Sequence, residues 1–132
     1  MSHDHSILIT ESDFARLRRL ASHPYLAKEL EKAEIVDSRR IPRDVVTMGS
    51  RIRFQDDTTG VIRDITIVFP DQAEASQGKI SVLAPIGTAL LGLSVGQSIR
   101  WPFPDESMRT LRVLELIYQP EAEKFIGADA RH

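Results

Sequence analysis

Ile80-Ser81-Val82-Leu83-Ala84-Pro85-Ile86-Gly87-Thr88-Ala89-Leu90-Leu91-Gly92-Leu93-Ser94-Val95-Gly96-Gln97-Ser98-Ile99-Arg100-Trp101 is the stretch around which the chain is organised. Ile80 and Val82 alternate with Lys79 and Ser81, the period of a half-buried strand. Pro85 suits the first position of a helix, where its missing N–H costs nothing. Gly92 can adopt the left-handed conformation that commonly ends a helix. Val95-Gly96-Gln97-Ser98 reads as a turn, after which Ile99, Trp101 and Phe103 alternate with Arg100 and Pro102. The stretch therefore predicts strand, short helix over Pro85 to Leu91, turn and strand. It contains no catalytic constellation, so the expectation is a docking module and not an enzyme.

Downstream, Pro104 to Ser107 forms a turn and Met108 to Tyr118 a last strand with apolar residues on both faces. Such a strand is either central or carries a bulge near Leu114 that switches its inward face. Gln119-Pro120 onward reads as a loosely held tail. Upstream, Ile52 and Phe54 alternate with Arg51, Arg53 and Gln55. Asp56-Asp57-Thr58-Thr59-Gly60 is a run of turn formers, and Val61, Ile65, Ile67 and Phe69 share a face of the next strand. An antiparallel pair follows, ended by Pro70 and a polar loop from Asp71 to Gly78.

Before Gly49 the periodicity is helical. Ser6 to Ile9 is a short apolar run. Thr10 is a good N-cap, with Asp13 near the capping-box position and Ile9 and Phe14 placed as a staple. Phe14, Leu17, Leu20 and Ala21 form one face, and Arg16, Arg18 and Arg19 cover the rest. Ser22-His23-Pro24-Tyr25 interrupts the helix, because Pro24 disfavours helical geometry at His23. A second helix then buries Leu26, Leu30 and Ala33, with Lys28, Glu29, Glu31, Lys32 and Glu34 as its wet face. The short connection predicts an antiparallel helical hairpin with arms of about a dozen residues, roughly 18 Å each. Asp37 to Arg43 is a charged linker, read as a solvated hinge although Arg39, Arg40 and Arg43 are basic.

The 132 residues suit one compact domain with a small appendage, and 42% hydrophobic with 27% charged residues is an ordinary globular composition. A formal charge of −2 argues against binding nucleic acid mainly by phosphate neutralisation. The chain has no cysteine, so disulfides, thiolate metal sites and cysteine nucleophiles are excluded. Met1 to His5 is polar and lacks a signal-peptide core, and no apolar run approaches the ~20 residues that span a bilayer. A cytoplasmic protein is expected. The histidines, His3, His5, His23 and His132, lack the spacing of a helical metal site, and no functional metal is expected. No phosphate loop, dinucleotide fingerprint, nucleophile elbow or zinc-protease motif occurs. Asp56-Asp57 reads as a turn, Glu29 and Glu31 point in different directions around a helix, and Trp101 reads as core.

Three blocks in order, Val45 to Ile52, Ile80 to Trp101 and Leu114 to Ala122, resemble the regulator of nucleoside diphosphate kinase (Rnk) family within the wider Gre transcription factors. The run Ala84 to Gly92 is the most specific part. The resemblance implies an α+β protein: an N-terminal antiparallel helical hairpin over residues 1–41, then an FKBP-like antiparallel sheet domain with one short helix and a tail over 42–132. It implies RNA polymerase as partner, gripped at the rim of the secondary channel by Leu83, Ala84, Pro85, Ile86 and Gly87. It implies nucleic-acid contact that is at most indirect. No membrane partner and no cofactor are expected, and a monomer is.

True Gre factors carry acidic residues at the tip of a long hairpin, where they hold a catalytic magnesium ion. The tip here, Ser22-His23-Pro24-Tyr25, has no carboxylate to supply the oxygen ligands such an ion takes. The expected function is a polymerase-binding regulator that occupies the Gre site without stimulating cleavage. The alternatives are cleavage stimulation through acids elsewhere, such as Glu29 or Glu31, and prolyl isomerisation on fold analogy alone.

Overall fold

Alternation along residues 51–68 builds the centre of the molecule. In the computed structural model, which describes residues 7–20 and 22–122, β3 (Arg51–Asp56) pairs antiparallel with β4 (Val61–Val68). Ile52, Phe54, Ile65 and Ile67 point inward and are almost fully buried. Each such side chain contributes about 1.5–3 kcal/mol relative to exposure. β7 (Met108–Tyr118) pairs with the other edge of β3, and β6 (Ser98–Pro102) pairs with β7, both antiparallel. β5 (Lys79–Ser81) completes the order β5-β4-β3-β7-β6.

Two details of the sheet follow from single residues. Val113 stands opposite Phe54 and Glu115 opposite Arg53, so Leu114 is the extra residue of a bulge. That bulge lets Leu111 and Val113, then Leu116, all face the core. The expectation of an all-antiparallel sheet is corrected at β5, which runs parallel to β4 from Thr66↔Lys79 to Val68↔Ser81. Pro70 stops β4, and two short 3-10 turns, Pro70–Gln72 and Ala75–Gln77, carry the chain back to the level at which β4 passes Thr66. Gly78, at φ 73°, then turns it alongside its predecessor.

The helix α3 (Pro85–Leu90) begins at Pro85 and buries Gly87, Thr88, Ala89 and Leu90. It ends before Gly92, whose φ of 85° is the left-handed geometry expected there. A Cβ at Gly92 would come within 2.7 Å of Ile7 Cβ, so the position requires glycine for space as well.

The N-terminal segment is more closely attached than the sequence suggests. β1 (Leu8–Thr10) leads into α1 (Glu11–Leu17), a 3-10 turn at Arg18–Leu20, α2 (Pro24–Lys32) and β2 (Glu34–Val36), which returns parallel to β1. The helices have seven and nine residues, not the dozen expected. Ala33 leaves the helical region at ψ 141°, and Glu34 N–H bonds the Ile7 carbonyl at 2.9 Å, which diverts the chain into β2. Leu17, Leu26 and Leu30 join the same buried cluster as Phe54 and Ile67, so the helices lie on the sheet domain. Glu29, expected on the wet face, is only 3% exposed.

The chain beyond β7 is likewise held down. Gln119 Nε2 donates to the carbonyls of Pro42 at 2.8 Å and Val45 at 2.7 Å, and its Oε1 accepts from Ala122 N–H. Residues 119–122 are therefore not a loose tail. Ala21, His3, His5, His132 and the rest of the tail lie outside the described residues. Among the described residues no helix is long and apolar enough to cross a membrane.

Candidate functional site

The corner between β5 and α3 is fixed by short-range bonding. Leu83 N–H donates to Ser81 Oγ at 3.0 Å, and Ala84 N–H to the Ser81 carbonyl at 3.0 Å. Thr88 Oγ1 donates to the Val82 carbonyl at 2.6 Å from a side chain only 2% exposed. Pro85 removes one backbone rotation and has no N–H to satisfy. Leu83, Ala84, Pro85 and Ile86 are half-buried and present the rest of their surface outward. Gly87 is different: it is buried, and a Cβ there would run into the Ser81 carbonyl oxygen and sit 3.0 Å from Val82 Cα. Its role in the corner is close packing.

The corner opens on two hollows. Pro85 and Leu83 line one of about 160 Å³ together with Tyr25, Trp101 and Pro104. Ile86 lines another of about 200 Å³ with Phe54, Arg63 and Arg109. A third, about 310 Å³, continues from the first past Tyr25 and Trp101 to Lys28, Lys32 and Arg100.

Ser22, His23, Pro24 and Tyr25 are all exposed at the start of α2. Tyr25 is 54% exposed, and its ring centroid stands 5.8 Å from that of Trp101 with the planes tilted by 54°. Tyr25 of the predicted tip therefore shares one groove with the predicted contact corner, whereas Ser22, His23 and Pro24 do not line it; sequence reasoning placed tip and corner in separate units. Trp101, 5% exposed, is core as expected, but its edge is also the groove's wall. Among the described residues its indole N–H has no acceptor. Periodicity marked Trp101 as inward-facing and carried no signal of its distance from Tyr25, 76 positions away in sequence.

Among the described residues the acidic side chains do not assemble a reaction centre. Glu29 is buried with Lys32 Nζ at 3.3 Å, while Glu31 is exposed on a different face of α2. Asp56 Oδ1 caps its turn by accepting Thr58 N–H at 2.9 Å, and Oδ2 lies 3.4 Å from Arg109. Asp57 pairs with Arg112 at 2.8 Å. On the sheet's outer face Arg53 bridges Asp64 and Glu115, each at 2.9 Å, and the Arg53 bonds hold the Asp64 carboxyl below its ordinary range. Among the described residues no three His, Asp or Glu side chains converge as a metal site. The linker arginines Arg39 and Arg40 border a hollow that also contains Glu11, Glu34 and Asp37, and Arg39 pairs with Asp37 at 3.4 Å.

Comparison with known proteins places this arrangement. The family model for the C-terminal part of the transcription elongation factors GreA/GreB matches residues 41–118. The regulator of nucleoside diphosphate kinase of Escherichia coli strain K12 is 40% identical over 126 residues, covering 89% of this chain and 93% of that protein. Transcription elongation factor GreA of Solidesulfovibrio magneticus is 35% identical over 75 residues, 57% of this chain and 46% of that protein. The solved structure of a prokaryotic transcription elongation factor GreA/GreB from Nitrosomonas europaea aligns with a TM-score of 0.69 at 40% identity, over 87% of this chain and 100% of that one.

Proposed function

This chain belongs to the GreA/GreB transcription elongation factor family, and from that premise we propose that it is an RNA polymerase-binding regulator that competes with Gre factors without stimulating transcript cleavage. The observation that carries the proposal is the Leu83 to Ile86 corner: half-exposed, apolar, and fixed through Ser81, Thr88 and Pro85 before any partner arrives. A surface already held in its bound shape loses little entropy on docking. Leu83, Ala84, Pro85 and Ile86 are assigned as the contacts, with Gly87 holding their geometry.

The non-cleaving character rests on the residues at the start of α2. Ser22, His23, Pro24 and Tyr25 supply no carboxylate oxygen for a hard cation. The nine residues of α2 extend only about 14 Å. Residues 42–132 are proposed as the Gre-type, FKBP-like unit and residues 1–41 as the helical unit folded on it. The protein acts as a cytoplasmic monomer, with nucleic acid contacted only through the transcription complex. Any influence on nucleoside diphosphate kinase, suggested by the name of the Escherichia coli relative, runs through transcription.

Stalled, backtracked elongation complexes test this reading. With magnesium, the chain alone leaves the transcript intact, and increasing amounts of it slow the shortening that GreA produces. Magnesium-dependent shortening by the chain alone would replace this reading with cleavage stimulation. An unchanged GreA rate at saturating chain would remove the competition.

A further inference from the structure

We propose that the groove between α2 and β6 receives an acidic segment of RNA polymerase anchored by an apolar side chain. This rests on the docking reading above and names the chemistry of the element docked. The groove's floor is aromatic and apolar: Tyr25, Trp101 and Pro102 are common to its two compartments of about 310 and 160 Å³. Its rim is cationic. Lys28, Lys32 and Arg100 border the larger compartment, all exposed; among the described residues its lining has one carboxylate, Glu29, which is buried and already paired with Lys32. That local excess of positive charge stands on a chain whose formal charge is −2.

An apolar floor surrounded by charge is the division of labour found in protein interfaces. Aromatic anchors in the desolvated centre carry most of the energy, and rim charges set approach and orientation. The smaller compartment reaches Leu83 and Pro85, so a segment resting on the corner runs directly onto the Tyr25–Trp101 floor and past the cationic rim. A nucleic-acid strand fits less well. Successive bases stack on successive open aromatic faces, and of the two rings here only Tyr25 is open, while Trp101 is 5% exposed.

The test measures binding of the full chain to immobilised core RNA polymerase at low and high salt. The variants are Lys28→Glu with Arg100→Glu, Arg100→Lys, and Pro85→Arg, each checked for an unchanged melting temperature. The double reversal is expected to weaken binding about tenfold or more at low salt and to flatten its salt dependence, with Arg100→Lys close to the parent. If the double reversal binds within about twofold of the parent while Pro85→Arg does not bind, the corner reading stands and the groove proposal falls. If the unsubstituted chain does not bind, both fall. Trp101, the single tryptophan, supplies a second readout. A saturable change in its emission on adding a single-stranded oligonucleotide, lost in the double reversal, would assign the groove to nucleic acid and overturn the proposal.

Discussion

The Asp13 carboxylate accepts the backbone N–H of Met48 at 3.1 Å, across 35 positions of sequence. The bond fastens α1 to the segment that enters β3, across the boundary at which the sequence divides the chain. Burial raises the Asp13 pKa, the Met48 bond opposes that rise, and Glu121 adds to it by charge repulsion. A raised folded-state value means that the folded protein binds the proton more readily than the unfolded chain. Stability from this group is therefore full below the ordinary carboxylate pKa and is lost as pH rises through the raised one. Asp13→Asn, which keeps an acceptor for Met48 but cannot ionise, should gain on the parent in melting temperature across that window. A difference that stays constant with pH would contradict the assignment. Asp13→Ala strands the Met48 N–H and should cost about 1–3 kcal/mol.

Gln119 closes the C-terminal end of β7 onto the loop before β3. Its amide nitrogen donates to the Pro42 and Val45 carbonyls at 2.8 and 2.7 Å. Gln119→Leu preserves bulk and removes both donors, so urea unfolding should show a loss of about 1–3 kcal/mol with an unchanged slope. A change below about 0.5 kcal/mol would mean that water replaces the amide without penalty.

Much of the sheet domain was legible because local rules agreed with one another. Pro85 and Gly92 marked the ends of the short helix, the 2-residue period of Ile52, Phe54, Ile65 and Ile67 marked the inward face, and apolar residues on both faces of β7 fitted either a central strand or a bulge near Leu114, both of which β7 has. What escaped was set by long-range pairing. Nothing near Asp13, Glu29 or Gln119 in sequence distinguishes them from solvated polar residues, and each is buried by a partner or surface far along the chain. The parallel course of β5 depends on where the loop after Pro70 returns, which residue patterns do not encode. For the candidate site, the strand-to-helix corner was legible in its own residues, its role as a contact came only from the family resemblance, and the groove it forms with Tyr25 required the fold.

The corner's rigidity rests on Thr88, whose hydroxyl donates to the Val82 carbonyl at 2.6 Å. Thr88→Val leaves that buried acceptor unpaired and should cost about 1–3 kcal/mol. It should also weaken polymerase binding more than a substitution of equal stability cost placed elsewhere, because the docking surface itself loosens. Equal binding losses from equal destabilisation would indicate that the corner has no special role.

Gly87→Ala should be more damaging to stability than any single change on the corner's outer surface. The added methyl has backbone on its contact side, the Ser81 carbonyl oxygen and Val82 Cα, and backbone does not move aside as a flexible side chain does. A loss of about 1–3 kcal/mol or more is expected in thermal unfolding. A melting temperature equal to the parent's would show that the β5–α3 corner is looser than its contacts indicate.

Equilibrium binding of Pro85→Arg to core polymerase decides whether the Leu83 to Ile86 corner grips RNA polymerase as proposed. The substituted side chain starts from a half-buried position at the mouth of the groove and leaves the Ser81 and Thr88 bonds in place. The unsubstituted chain should bind tightly, and Pro85→Arg should lose binding at a matched melting temperature. Binding by Pro85→Arg equal to that of the unsubstituted chain would contradict the proposed grip.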